Sequence, residues 1–229
     1  DRLQEIYEAT NVPIVSHGSS GVLIRREDAE AKGVELAPGE GSLLDAIKVG
    51  YPLVLACGLS IARDLGSLGL PLIADFKVAD IPNTNRLIAG SVFAAGFHAL
   101  ICHGFTGRDA VEACVETAHD AGGECLVVAE MSHPGALEFF SGGTAEKIAG
   151  LAVECHADGI IAPATRPERV RILRDIVGSR AIYSPGVGAQ GGDPRALAGL
   201  VDGIIVGRQI YGSRDPAAEA ARLYSLIRR

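Results

Sequence analysis

The sequence predicts an α/β protein, and within that class a (β/α)8 TIM barrel formed by residues 1–229 as one domain. Three observations carry the prediction. Seven short apolar runs rich in Val and Ile recur along the chain, stretches with helical spacing separate them, and 229 residues is close to the roughly 250 of a typical barrel. Runs that are apolar on both faces, each followed by a helix, imply parallel strands joined by crossovers. Seven such units favour closure over an open sheet.

The first unit is irregular. A closed barrel needs a strand ahead of "DAIKVG", and two stretches qualify: "VPIVSHG" (Val12 to Gly18) and "GVLIRRE" (Gly21 to Glu27), the second at the better distance. "DRLQEIYEAT" reads as a short covering helix, whereas "VELAPGEGSLL" is rich in Gly and Pro and poor in helix formers, so residues 1–44 form an atypical first strand and connection. Strands two to eight follow as "DAIKVG", "PLIADFK", "HALICHG", "ECLVVAEM", "DGIIAPA", "RAIYSPGV" and "GIIVGR". Between them, "NTNRLIAGSVFAAG" has helical spacing, and "GRDAVEACVETAHDAGG" opens in polar residues and stops at a Gly pair.

Composition narrows the function. Hydrophobic residues make up 48% and charged residues 21%, enough apolar material for a large core. A formal net charge of -7 argues against a nucleic-acid partner and for a small ligand, which one local basic pocket can still hold by its phosphate. Five cysteines, none in a Cys-x-x-Cys pair, read as reduced core residues. With neither a secretory leader nor an apolar span of about 18 residues, no membrane partner is expected and the cytoplasm is the expected location.

In such a barrel the strand C-terminal ends form the functional face. Lys48 falls there on the second strand, Asp75 and Lys77 on the third, His103 on the fourth, and Ser132 with His133 on the fifth. Pro185 to Gln190 follow the seventh strand, and Gly207 with Arg208 close the eighth. Asp75 and Lys77, two apart, share one strand face, and Lys48 can reach it from next door. The array is either a structural salt-bridge network or a catalytic one, and its location favours the second. "SPGVGAQGGDP" together with "GIIVGRQIY" supplies glycines for close backbone approach and a guanidinium fork, a combination suited to phosphate. His103 and His133 lack metal-ligand spacing, so no metal is expected, and Ser132 sits in no nucleophile elbow.

These residues resemble the orotidine 5'-monophosphate decarboxylase family, particularly its compact archaeal members. The resemblance rests on "AIKVGYPLVL", "ADFKVADIPNTN", "EMSHPGA", "SPGVGAQGGDP" and "IIVGRQIY", in that order, and runs from about Asp45 to the C-terminus. It implies a homodimeric TIM barrel that converts orotidine 5'-phosphate to UMP and carbon dioxide without metal or organic cofactor. Lys48, Asp75, Lys77 and Asp80 match the catalytic charges, with Lys77 as proton donor to C6 and Asp80 donated across the dimer interface. Thr84, Ser132, Pro185, Gln190, Gly207 and Arg208 match the substrate-binding set. In that set Ser132 contacts the pyrimidine, Gln190 bridges base and phosphate, Arg208 holds the phosphate and Thr84 reaches the partner's ribose.

One departure stands out. The family's first strand resembles "LILALD" and ends in a ribose-binding aspartate, whereas alignment back from "DAIKV" puts Arg26 near that position. Two rival readings share the motifs. A magnesium-dependent sugar-phosphate lyase of the hexulose-phosphate synthase type has the same Asp-x-Lys-x-x-Asp pattern and needs a carboxylate after strand one, a part open to Glu27 or Asp28. A non-catalytic nucleotide-binding paralogue would bind UMP without turnover.

Overall fold

The computed structural model describes residues 45–227 and the backbone of residues 21–25. Eight strands close a barrel in chain order: β1 (Gly21–Arg25), β2 (Ala46–Gly50), β3 (Leu72–Val78), β4 (Ala99–His103), β5 (Glu124–Val128), β6 (Gly159–Ile161), β7 (Ala181–Pro185) and β8 (Gly203–Val206). The larger helices packed around them are α1 (Tyr51–Cys57), α2 (Ile61–Gly66), α3 (Pro82–Ala94), α4 (Arg108–Asp120), α6 (Thr144–Glu154), α7 (Pro167–Val177) and α9 (Pro216–Ile227). Two short helices, α5 (Leu137–Phe140) and α8 (Arg208–Tyr211), lie on the functional face after β5 and β8. Among the described residues no helix is long and apolar enough to cross a membrane.

Strand alternation divides the apolar residues between two cores. One set, including Ala46, Ile73, Ile101, Leu126, Val128, Ile161, Tyr183 and Ile205, fills the barrel interior. The other set, including Val49, Leu72, Leu100, Val127, Ile160, Ile182 and Ile204, faces the helices. Both faces of each central strand are therefore buried, the property that made the strands legible as unbroken apolar runs. Four of the five cysteines lie in this buried material, while Cys57 is exposed; all five are free thiols.

The seven strands β2 to β8 are parallel, as expected, but β1 is not. It pairs antiparallel with both β2 and β8, with Gly21 opposite Lys48 and Arg25 opposite Gly203. A five-residue strand can close a gap between two strands in either direction, because either polarity satisfies the backbone groups on both sides. Direction is set by the connection, and "VELAPGEGSLL" carries no signal for the helical crossover that a parallel strand needs. The strand starts near the functional face and ends at the opposite one, where β8 begins. The described strand Gly21–Arg25 therefore runs away from the site. Arg26 itself, Glu27, Asp28 and "VPIVSHG" lie outside the described residues.

At that opposite face, acidic residues before β6 and β8 clamp the preceding odd-numbered strands. Asp158 accepts from the Cys125 N–H at 2.8 Å, and Asp202 accepts from the Ile182 N–H at 2.8 Å while pairing with Arg174 at 2.5 Å. His98 does the same before β4, its Nδ1 accepting from the Leu72 N–H at 3.2 Å. These contacts satisfy strand-end donors and hold the scaffold that positions the other face.

Candidate active site

The chemistry of the functional face starts with an irregularity in β3. Its register against β4 shifts between Ala74 and Val78, so that four steps along β3 match two along β4, from Leu100 to Cys102. Lys77 takes a positive φ of 46° in this bulge, a conformation that L residues adopt at a cost of about 1–3 kcal/mol and that clusters at functional sites. Phe76 turns outward, stacking on Tyr51 at 4.9 Å and meeting Phe97 edge-on at 5.8 Å. That packing anchors the bulge and leaves Asp75 and Lys77 on the inner side.

Asp75 sits between two ammonium groups. Lys48 Nζ donates to Oδ2 and Lys77 Nζ to Oδ1, each at 2.6 Å. Lys48 and Asp75 are buried, whereas the Lys77 side chain is 36% exposed and faces the cavity. Burial pushes the Asp75 carboxyl up, and the two lysines more than reverse this, holding it below the usual carboxylate range. Burial lowers Lys48, with Asp75 opposing. Because Asp75 is depressed on folding, its contribution to stability is full above the ordinary carboxylate pKa and is lost as pH falls through the lowered one.

A cavity of about 880 Å³ opens above this array. Its walls bring together Lys48, Asp75, Lys77, Ser132, His133, Pro185, Gln190, Gly207 and Arg208, all expected at this face from the sequence. The loops after β5, β6 and β7 are tied across it. Ser132 Oγ donates to Gln190 Oε1 at 2.8 Å, which leaves the Gln190 NH₂ as a donor, and Thr165 Oγ1 donates to the Ser132 carbonyl at 3.0 Å. Gly186, with φ 102°, makes the close approach to Ser132 that this tie needs: a Cβ there would stand 3.2 Å from the Ser132 Cβ.

Asp80 and Thr84 stand apart from this cavity. Asp80 is exposed; its carboxylate accepts from the Ile81 N–H at 2.7 Å, and its own N–H donates to Asn85 Oδ1 at 3.0 Å. Asn85 is buried and donates to the Ala110 carbonyl at 3.0 Å, which fixes the loop carrying Asp80 against α4. His103 does not line the cavity either. Its ring tilts against Phe105 at 4.8 Å, and burial and then the Lys77 charge lower its pKa to about 4, so it is neutral at physiological pH.

Several residues that the sequence reading passed over belong to the site. Met131, Thr165, Arg166 and Tyr211 line the cavity. Behind them Glu130, only 1% exposed, accepts from Arg166 at 2.8 Å and Arg169 at 2.9 Å, and Arg169 forks onto Glu146 at 2.8 and 2.9 Å. Arg166 also donates to the Met131 carbonyl. A carboxylate inside the run "VVAEM", with "RPER" one βα unit later, was the available signal. Glu130→Ala leaves the mostly buried Arg166 guanidinium without its carboxylate and Arg169 with Glu146 alone, and a loss of about 3 kcal/mol in urea unfolding is expected. A change under about 1 kcal/mol would make the network a surface-like one.

The model of the orotidine 5'-phosphate decarboxylase / HUMPS family matches residues 30–223. Orotidine 5'-phosphate decarboxylase of Methanosarcina mazei is 52% identical over 200 residues, covering 86% of this chain and 88% of that protein. The protein of the same name from Methanococcoides burtonii is 55% identical over 182 residues, covering 79% and 84%. Among solved structures, orotidine 5'-monophosphate decarboxylase of Methanocaldococcus jannaschii, complexed with the inhibitor BMP, superposes with a TM-score of 0.77 at 41% identity, covering 81% of this chain and 87% of that one. With the family model matching residues 30–223 and relatives above 50% identity over most of the chain, the chain belongs to the orotidine 5'-phosphate decarboxylase / HUMPS family.

Proposed function

We propose that the chain decarboxylates orotidine 5'-phosphate to UMP and carbon dioxide, a step of pyrimidine biosynthesis, with Lys77 as the proton donor. The observation that carries this reading is Asp75 held between Lys48 and Lys77 at 2.6 Å on each side, with the Lys77 ammonium at the floor of a nucleotide-sized cavity. When the bond from C6 to the carboxylate breaks, its electron pair remains on C6 in a ring σ orbital with little resonance relief. Stabilisation must then come from fixed charge, which a preorganised ammonium supplies with little rearrangement. Lys77 transfers its proton to C6 and regains one from solvent.

The remaining roles follow from position. Ser132 and Gln190 present hydrogen-bonding groups to the pyrimidine, and Gln190 continues toward the phosphate. Arg208, with Pro185 and Gly207 beside it, receives the phosphate, and closing the loops over it applies remote binding energy to the reacting centre. The reading includes a homodimer, in which Asp80 and Thr84 enter the partner's site. Exposed apolar side chains support that interface: Ile81 next to Asp80, Leu87 on the helix that follows and Phe105 after β4, at 65%, 66% and 60% exposure. Five free thiols, four of them buried, suit a reducing compartment such as the cytoplasm.

The test follows the absorbance loss of orotidine 5'-phosphate with and without a chelator. Turnover unaffected by chelator is expected and would remove the magnesium-dependent lyase reading; no turnover of orotidine 5'-phosphate, with chelator-sensitive cleavage of a sugar phosphate, would favour that reading. UMP binding without turnover would favour the non-catalytic one. Both oxygens of Asp75 already accept from lysines, an arrangement that suits charge stabilisation better than metal ligation.

Arg208→Ala separates binding from chemistry. It is expected to lower kcat/KM for orotidine 5'-phosphate by about 10²-fold, the loss of a charge-assisted phosphate contact, with little change for orotidine lacking the phosphate. Equal losses on the two substrates would remove Arg208 from the phosphate.

A further inference from the structure

Gln209 follows Arg208 in α8, and its amide is tethered at one end only. Its Nε2 donates to Glu219 Oε1 at 2.5 Å, and Glu219 is held by Arg222, whose Nε and Nη2 donate at 2.9 and 2.7 Å. The other end is the anomaly: Gln209 Oε1 is buried and has no hydrogen-bond partner among the described residues. A buried amide oxygen left unpaired is unfavourable, so its presence calls for an explanation.

The oxygen lies against the Gly-rich loop after β7. A Cβ built on Gly188 would stand 1.3 Å from Gln209 Oε1 and 2.3 Å from its Cδ, so only glycine leaves room for this contact. Gly188 has φ 69° and forms a tight turn, its N–H donating to the Gly192 carbonyl at 3.0 Å and its carbonyl accepting from Gly191 at 2.7 Å. That turn carries Gln190, which lines the cavity and accepts from Ser132. The Gln209 amide thus stands directly between the C-terminal helix α9 and the loop that faces Arg208.

We propose that Gln209 is a positioning residue for the phosphate end of the ligand. Pinned to α9 through Glu219, it sets the distance of the 188–192 turn from Arg208. Its unpaired oxygen accepts a backbone N–H of that turn when a phosphomonoester draws the loop inward. The unpaired acceptor disfavours the ligand-free arrangement, and ligand binding relieves it. This inference rests on the nucleotide-binding reading above, but it concerns affinity for the phosphate group and does not require turnover.

The test compares wild type, Gln209→Ala and Gln209→Met in UMP binding, and in KM and kcat on orotidine 5'-phosphate and on phosphate-free orotidine. Methionine keeps the length and packing of the side chain and removes both hydrogen bonds. Both variants are expected to weaken UMP binding and raise KM for orotidine 5'-phosphate by roughly tenfold, the scale of one hydrogen bond, while kcat/KM on orotidine changes less than about twofold. Gly188→Ala provides a second readout. Its loss in UMP affinity should be smaller in the Gln209→Ala background than in wild type, because the collision with Oε1 is gone and only the backbone strain remains.

Wild-type affinity in Gln209→Met, or equal losses on both substrates, would overturn the proposal. So would a Gly188→Ala effect that is the same in both backgrounds. Wild-type protein that binds UMP without decarboxylating would refute the catalytic reading and leave this one standing. Failure of the wild type to bind UMP would end both.

Discussion

Lys77→Ala is expected to abolish measurable decarboxylation and leave a folded protein that still binds UMP. The fold should survive because Asp75 keeps Lys48 at 2.6 Å, so the truncation leaves no unpaired buried carboxylate. The lost side chain is itself 36% exposed and contributes little packing. UMP binding should survive because the groups assigned to the phosphate, Arg208 and the loop after β7, stand on other strands. The chemical step has no such substitute. Lys48 is buried and bonded to Asp75, and neutral His103, which does not line the cavity, is in no position to deliver a proton. General acid catalysis alone contributes about 10²-fold or more, and the electrostatic stabilisation lost with the ammonium adds to it. A variant retaining more than about a hundredth of wild-type turnover would mean that another group protonates C6.

The site was largely legible in the sequence because barrel geometry turns strand ends into a single face. Once "AIKVG", "IADFK" and "IIVGR" are placed as strands, Lys48, Asp75, Lys77 and Arg208 fall at the same rim, and they line one cavity. Strand polarity is different. "GVLIRRE" is the better placed of two candidates for the closing strand, but nothing in so short a run distinguishes parallel from antiparallel pairing, and β1 runs antiparallel. The bulge at Lys77 was equally silent, since alternation alone already put Asp75 and Lys77 on one face. Its trigger is the packing of Phe76 between Tyr51 and Phe97, contacts that span more than twenty residues on each side. Glu130, Arg166 and Arg169 were missed for a related reason. An arginine at the start of a helix ordinarily reads as a solvated charge, and only the fold reveals a carboxylate buried behind it.

Mixing two inactive variants, Lys77→Ala and Asp80→Ala, is expected to restore activity once subunits exchange. The reason lies in where Asp80 stands. It is exposed, does not line its own chain's cavity, and is held outward by Asn85 and by its bond to the Ile81 N–H. The adjacent Ile81, 65% exposed, gives a partner something apolar to pack against, so a carboxylate there is well placed to enter a second molecule's site. In a twofold dimer of one chain of each kind, one site receives both defects, and the other combines an intact lysine with an intact aspartate. Random exchange makes half of the dimers mixed and half of their sites intact, so about a quarter of wild-type activity should appear. The rate of its appearance should follow the rate of exchange measured independently with labelled chains. Complete exchange with no recovered activity would place Asp80 in its own chain's site or outside catalysis, and the shared-site dimer would have to be abandoned.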